Sequence, residues 1–207
     1  APAAGQALEG ITITGGMVAD GGGALRLNAG VVVSDCVFLR NRAQSGGAVS
    51  TSGQTPSFVR CRVLENTATG GGAFSTGTMS PQQASPVFDS CEFIGNSAEY
   101  GGGAVLLEAL PIRDATFRNC TFAQNNAQVG GALLLYGFSP IIEGCTFVHN
   151  AASGGGVIQC GFSVVFPADP TISNTIIAFS TSGAAVTCSP GSQAALLCSD
   201  VYGNTGG

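Results

Sequence analysis

The chain has 207 residues, of which 9% are charged and 44% hydrophobic, so it is not a disordered chain, which would show high charge and low hydrophobicity. Twelve acids stand against seven arginines and no lysine, and the net charge of −5 removes the basic field that nucleic acid or an anionic membrane would need. Without lysine there is no Schiff-base chemistry and no P-loop. No apolar run approaches the roughly 18 residues of a membrane-spanning helix, so this segment is not expected to insert into a bilayer.

Ala1-Pro2-Ala3-Ala4-Gly5 lacks a signal peptide's charged and apolar regions and reads as a mature or trimmed terminus. Next, Ile11-Thr12-Ile13-Thr14-Gly15-Gly16 precedes Gly21-Gly22-Gly23. Five closer copies follow: Cys36 to Asn41, Cys61 to Asn66, Cys91 to Asn96, Cys120 to Asn125 and Cys145 to Asn150. Each is followed by an alanine two residues after the asparagine, then by a run of glycines. Degenerate copies, Ile176 to Ser180 and Val201 to Asn204, close the series. The marks lie near 11–16, 36–41, 61–66, 91–96, 120–125, 145–150, 175–180 and 199–204, with periods of 25, 25, 30, 29, 25, 30 and 24.

Between the marks lie short stretches rich in Val, Ile, Phe and Thr, too short for helices, which read as strands. Short strands and turns at a period near 25 predict an all-β chain: a right-handed, single-stranded parallel β-helix of about seven coils, one domain over residues 1–207. Stacking at about 4.8 Å per coil places like residues in columns. The interior column is expected to be Ile13, Phe38, Val63, Phe93, Phe122, Phe147, Ile177 and Val201, beside Ile11, Cys36, Cys61, Cys91, Cys120 and Cys145. Asparagine recurs at a corner, where it tolerates the left-handed conformation and bonds to its copy in the next coil.

Phe-x-x-Asn followed by Gly-Gly-Ala, as in Phe38 to Asn41 with Gly46-Gly47-Ala48, resembles the repeat of the chlamydial polymorphic outer membrane proteins. That resemblance implies an autotransporter passenger involved in adhesion. Gly10 to Gly16 is similar to the wider class of bacterial secreted β-helix proteins of the pectin-lyase-like fold. Location outside the cell, secreted or on a bacterial surface, is what these resemblances imply.

That class includes polysaccharide lyases and hydrolases, which need paired carboxylates, or bound calcium with a basic residue, on one outer face. Placed by offset from the repeat asparagine, nine of the 19 charged residues fall into opposite-sign columns: Asp35 with Arg60, Arg62 with Glu92, Arg40 with Glu65, and Asp89, Arg118 and Glu143 alternating. Asp20, Asp114, Asp169, Asp200, Glu9, Glu99, Glu108, Arg26, Arg42 and Arg113 share no column. Arg113-Asp114 with Glu108 is the nearest approach to an acid–base group, and the single His149 has no aligned partner. No catalytic residue, metal site or cofactor is therefore assigned. A non-catalytic surface scaffold or adhesin-like protein is the leading reading, ahead of a polysaccharide-active lyase or hydrolase and of a self-assembling filament or matrix subunit.

The five column cysteines are expected to be free, since Cβ atoms near 4.8 Å apart exceed the roughly 3.8 Å of a disulfide. Cys188 and Cys198 are the candidate disulfide, with Cys160 the competing partner of Cys188. Three long turns carry their extra residues at one stage of the coil and form the candidate binding loops for a protein or glycan. They contain Met79 and Gln82, then Arg113 and Asp114, then Phe162 and Phe166. The open ends offer end-to-end self-association as a competing surface.

Overall fold

A computed structural model describes residues 6–52, 55–76, 85–162 and 164–206. Its strands pair in parallel with their copies one coil away, in three sheets, and the coils number about seven. Sheet 1 stacks Ala7–Glu9, Val32–Ser34, Ser57–Val59, Val87–Asp89, Thr116–Arg118, Ile141–Glu143, Thr171–Ser173 and Ala195–Leu197. Sheet 2 stacks Thr12–Thr14, Val37–Leu39, Arg62–Leu64, Glu92–Ile94, Thr121–Ala123, Thr146–Val148, Ile176–Ala178 and Asp200–Tyr202. Sheet 3 has two limbs in each coil. Ser97–Gly101 belongs to the first and Val105–Arg113 to the second, and Ala151–Cys160 runs through both and joins them. No helix among the described residues is long and apolar enough to cross a membrane.

Alternation along each short strand turns its middle residue inward, and stacking repeats that choice. The expected column from Ile13 to Val201 is in register throughout sheet 2. Phe93, Phe122 and Phe147 stack with ring centroids 4.9 and 4.6 Å apart and planes within 3° of parallel. Sheet 1 carries a second ring column, Phe58, Phe88 and Phe117, at 5.2 and 4.9 Å. The two columns meet edge to face, Phe88 against Phe93 at 5.5 Å and Phe117 against Phe122 at 5.7 Å, an arrangement that suits the ring quadrupoles.

The corners are built differently from the expectation. The residue before each asparagine carries the left-handed backbone, for example Arg40 (φ 55°), Glu65 (φ 53°), Gln124 (φ 56°) and His149 (φ 54°). Asparagine recurs for its hydrogen bonds instead. Asn96 Oδ1 accepts the backbone N–H of Asn66 at 2.9 Å and its side-chain amide at 3.0 Å, while Asn96 Nδ2 donates to the Val63 carbonyl at 2.8 Å. Asn41, Asn66, Asn96, Asn125 and Asn150 are all buried, so this ladder satisfies polar groups that water cannot reach. The cysteine corner works in a similar way. Cys91 Sγ lies 3.4 Å from the carbonyl oxygens of both Phe58 and Asp89. Thr175 and Ser199 continue the column with hydroxyls that donate to Ser173 and Leu197.

Four of the opposite-sign pairs placed on the outside form. Arg60–Asp35, Arg40–Glu65, Arg62–Glu92 and Arg118–Glu143 are ion pairs at 2.6, 2.7, 2.8 and 3.3 Å. Hydrogen bonding by Arg60 holds the Asp35 carboxyl below its ordinary value. Asp89 is in register with Arg118, but its carboxylate accepts the Ser90 hydroxyl.

One of the three long turns is not a loop. Residues 108–113 continue the strand Val105–Arg113, with a register irregularity between Glu108 and Arg113 that absorbs the extra residues.

Candidate functional site

The two limbs of sheet 3 meet at the glycine corner, where Gly46, Gly71, Gly102 and Gly130 all have φ near +60°. At Gly72 and Gly103 a Cβ would run into backbone carbonyls of the next coil, so the coils close up tightly only because the side chain is missing. The outward residues of the second limb fold over this corner. Leu106 and Leu134 point away from the core yet are 8% and 4% exposed, and their side chains lie against Gly70 and Gly101. The outer surface is therefore concave along the bend, and a groove runs there across the coils.

Toward the C-terminal end the groove holds a cavity of about 320 Å³, floored by Leu106, Leu134 and Val129. One wall carries Thr69, Tyr100 and Gln128, and the other Glu108, Tyr136 and Phe162. A second cavity of about 470 Å³ continues toward the first coils, past Asp20, Arg26, Gln44 and Ser50 to Glu108. Thr51 lines this end and carries the one buried side-chain polar atom without a hydrogen-bond partner among the described residues, its Oγ1. A wider, shallower hollow of about 890 Å³ covers the face of the first limb, with Arg42 and Glu99 at its sides.

Glu108 is the electrostatic centre of the groove. It is in register with Tyr136 one coil on, and its backbone N–H donates to the Thr76 hydroxyl at 2.8 Å. Burial pushes its carboxyl above the ordinary value, and burial together with the Glu108 charge pushes up the Tyr136 phenol. None of the four ion pairs among the described residues involves Glu108, Asp20 or Arg26. Asp20 and Glu108 lie three coils apart, about 14 Å of axial rise. Carboxyl groups that share a glycosidic bond stand roughly 5 to 9.5 Å apart.

Of the candidate binding loops, Met79 and Gln82 lie outside the described residues. Arg113 ends a strand beyond the register irregularity, Asp114 follows it, and neither lines any of the three hollows. No ion pair among the described residues joins them to Glu108. Phe162 and Phe166 both pack on Tyr136, at 5.3 and 5.9 Å between ring centroids, so their turn covers the outer sheet and also supplies the groove's rim. Phe162 remains 60% exposed. His149 stacks on Phe179 at 5.8 Å, its Nδ1 lies 3.2 Å from the Phe179 carbonyl, and none of the ion pairs among the described residues involves it. Among the described residues no group of three or more His, Cys, Asp and Glu side chains is arranged to hold a metal ion.

All eight cysteines are free thiols. The Cys188–Cys198 bridge is not formed, because the two sit on different sheets. Cys188 ends Ser182–Cys188 in sheet 3, in register with buried Cys160, while Cys198 is the left-handed corner after Ala195–Leu197 of sheet 1. Burial pushes the Cys160 thiol up, with the neighbouring Cys188 adding to the effect.

The groove was not legible as a site in the sequence. In the sequence Glu108, Asp20 and Arg26 are charges outside any column, and Tyr100 and Tyr136 belong to no repeat mark. The usable signal was negative: charges without an opposite-sign copy one coil away are those the stack does not use.

Compared with known proteins, residues 72–207 match the family model described as "Right handed beta helix region". No curated protein and no solved structure matches the chain.

Proposed function

The chain belongs to the right-handed β-helix family, and we propose that within it the protein is a non-catalytic recognition scaffold of the cell exterior, holding an extended ligand along the bend of sheet 3. The observation that carries this reading is the groove itself, in which exposed Tyr100 and Phe162 flank a leucine floor. Large aromatic rings exposed at the rim of a concave, partly apolar surface favour a ligand over bare water. A rigid stack suits recognition, because Tyr100 and Tyr136 sit on strands paired with both neighbouring coils and little ordering of these residues remains to be done on binding.

The enzyme reading retains one supporting observation, the raised Glu108 carboxyl in a groove that also holds Arg26. Against it stands the axial distance from Glu108 to Asp20. Two measurements test the proposal. Tyr100→Ala combined with Phe162→Ala should leave the melting temperature within a degree or two, since both side chains are largely exposed, yet abolish attachment to a glycan or peptide surface that the wild type binds. Incubation with uronic-acid polymers and calcium should yield neither unsaturated products nor new reducing ends. Turnover lost in Glu108→Gln would replace the scaffold reading with the enzymatic one.

A further inference from the structure

We propose that the buried cysteine column binds a soft monovalent cation of the Cu(I) type in linear, two-coordinate geometry, and that the Cys61–Cys91 pair fills first. The site lies inside the coils and is independent of the groove. Spacing, surroundings, charge balance and the residues at the end of the column all bear on it.

Each column cysteine is fixed to its copy through strand hydrogen bonds of one length. The carbonyls of Cys36, Cys61, Cys91 and Cys120 accept from the backbone of Arg62, Glu92, Thr121 and Thr146, each at 2.9 Å. The strands that follow the cysteines are in register at every step. The thiols therefore stand about 4.8 Å apart and point in parallel. That separation is too long for a disulfide, whose Cβ atoms lie about 3.8 Å apart. It suits a metal bridge, since two metal–thiolate bonds of roughly 2.3 Å span about 4.6 Å. A bridge along the rod axis also meets each Cβ–Sγ bond nearly at a right angle, as sulfur with two partners prefers. The thiols of Cys61, Cys91, Cys120 and Cys145 interact in turn, so no side chain separates one from the next.

The surroundings select the ion. All five thiols are at most 1% exposed, among phenyl rings and aliphatic side chains. Calcium and magnesium need a shell of oxygens, and zinc needs a tetrahedral ligand set, whereas each gap in the column offers two sulfurs. Sulfur pairs of this kind favour soft ions such as Cu(I). An ion held between two successive levels needs no cluster of three side chains around one point. A void of about 10 Å³, walled by Phe58, Phe74, Phe88 and Phe93, borders both Cys61 and Cys91. It is apolar and at the lower limit of size for a water, so it stays dry and leaves these two sulfurs room to turn toward an ion.

Charge balances without a redox step. A coordinating thiol gives up its proton. One ion entering between two thiols releases one proton to solvent; one sulfur becomes a thiolate and its neighbour stays a neutral ligand. The column remains uncharged, which avoids the cost of an unpaired ion in an apolar interior. Five thiols bound four gaps, so a filled column holds at most four ions and keeps one proton.

The end of the column shows what sulfur adds. Thr175 and Ser199 take the next two levels, and their hydroxyls bond the Ser173 and Leu197 carbonyls, just as the Cys91 and Cys145 thiols approach those of Asp89 and Glu143. A hydroxyl thus meets the hydrogen-bonding need of this corner. Cysteine contributes an apolar, soft sulfur in its place.

The test uses the full chain carrying Cys188→Ser and Cys198→Ser, which removes the exposed thiols. It is refolded anaerobically with excess Cu(I), because the column is open only while the coils are, then desalted and challenged with a Cu(I) chelator. Native mass spectrometry should find one to four ions retained, each adding the mass of copper less one proton. X-ray absorption should show two sulfur neighbours and no nitrogen or oxygen. Adding Cys91→Ser breaks both gaps beside it and should remove the most tightly held ion. Ser199 already serves at this corner, so the variant should fold, and the ligand count in its parent decides the matter if it does not. Loss of all copper to the chelator would overturn the proposal and leave the column as packing alone. Retained copper with another ligand set, or a count unchanged by Cys91→Ser, would place the metal elsewhere and overturn it too.

Discussion

The corner side of the rod and the bend of sheet 3 are built from the same coils, yet they use polar residues in opposite ways. Where sheets 1 and 2 meet the corners, nearly every polar group has its partner one coil away: asparagine on asparagine, arginine on acid, thiol on carbonyl. At the bend, Glu108, Asp20 and Arg26 have no such ion pair among the described residues, and Tyr100 and Phe162 stand exposed. Repetition uses up interaction capacity within the stack. Where a column breaks its pattern, capacity is left over for something outside it.

The sharpest way to break this comparison is to damage the corner side. Asn96→Ala removes the acceptor for the Asn66 N–H and the donor for the Val63 carbonyl inside a buried column. The expected loss is on the order of 3 kcal/mol or more, measured by denaturant unfolding, because several buried groups lose partners at once. A loss below about 1 kcal/mol would mean that water replaces the ladder and that the corner is less closed than its burial implies.

A smaller effect of opposite sign is expected at the bend. The folded-state carboxyl of Glu108 lies above its unfolded value, so the native state binds the proton more tightly. Its contribution therefore favours folding at low pH and is lost as pH rises from about 4.3, the ordinary value, through the folded one. Glu108→Gln should raise the melting temperature at neutral pH and flatten this part of the pH profile. Equal profiles for the two proteins would place the Glu108 carboxylate in water and remove it from the groove's electrostatics.

The smallest effect belongs to the outer charge columns. Arg62 and Glu92 are paired at 2.8 Å but largely solvated, so Arg62→Ala should cost about 0.5 kcal/mol, and less in high salt. A larger, salt-insensitive loss would show that the arginine stem packs on the sheet more than its charge pairs.

Much of this fold is legible in the sequence. A column residue recurs because its copies touch, so Phe93, Phe122 and Phe147 declared their stacking by spacing alone, and Arg62 with Glu92 declared an ion pair by offset and sign. The second ring column, Phe58, Phe88 and Phe117, follows the same rule in sheet 1, each ring three residues before a column cysteine, but Val33, Ile142 and Ile172 stand at other levels. The left-handed corner lies one residue before the asparagine, at a variable position that the repeat pattern does not mark. Arg40, Glu65, Gln124 and His149 share a backbone conformation and no side-chain chemistry.

Sequence by itself therefore determined what repeats: the parallel stack, the interior columns, the ladders and the free thiols, each a contact between a residue and its own copy at one fixed separation. Only the tertiary structure decided what depends on contacts between unlike residues at unlike separations. Whether residues 108–113 loop out or extend the strand, whether Cys188 meets Cys160 or Cys198, and whether Glu108 and Tyr136 share a groove with Tyr100 all depend on how two limbs of a sheet close around glycines. No periodicity in the chain records that angle.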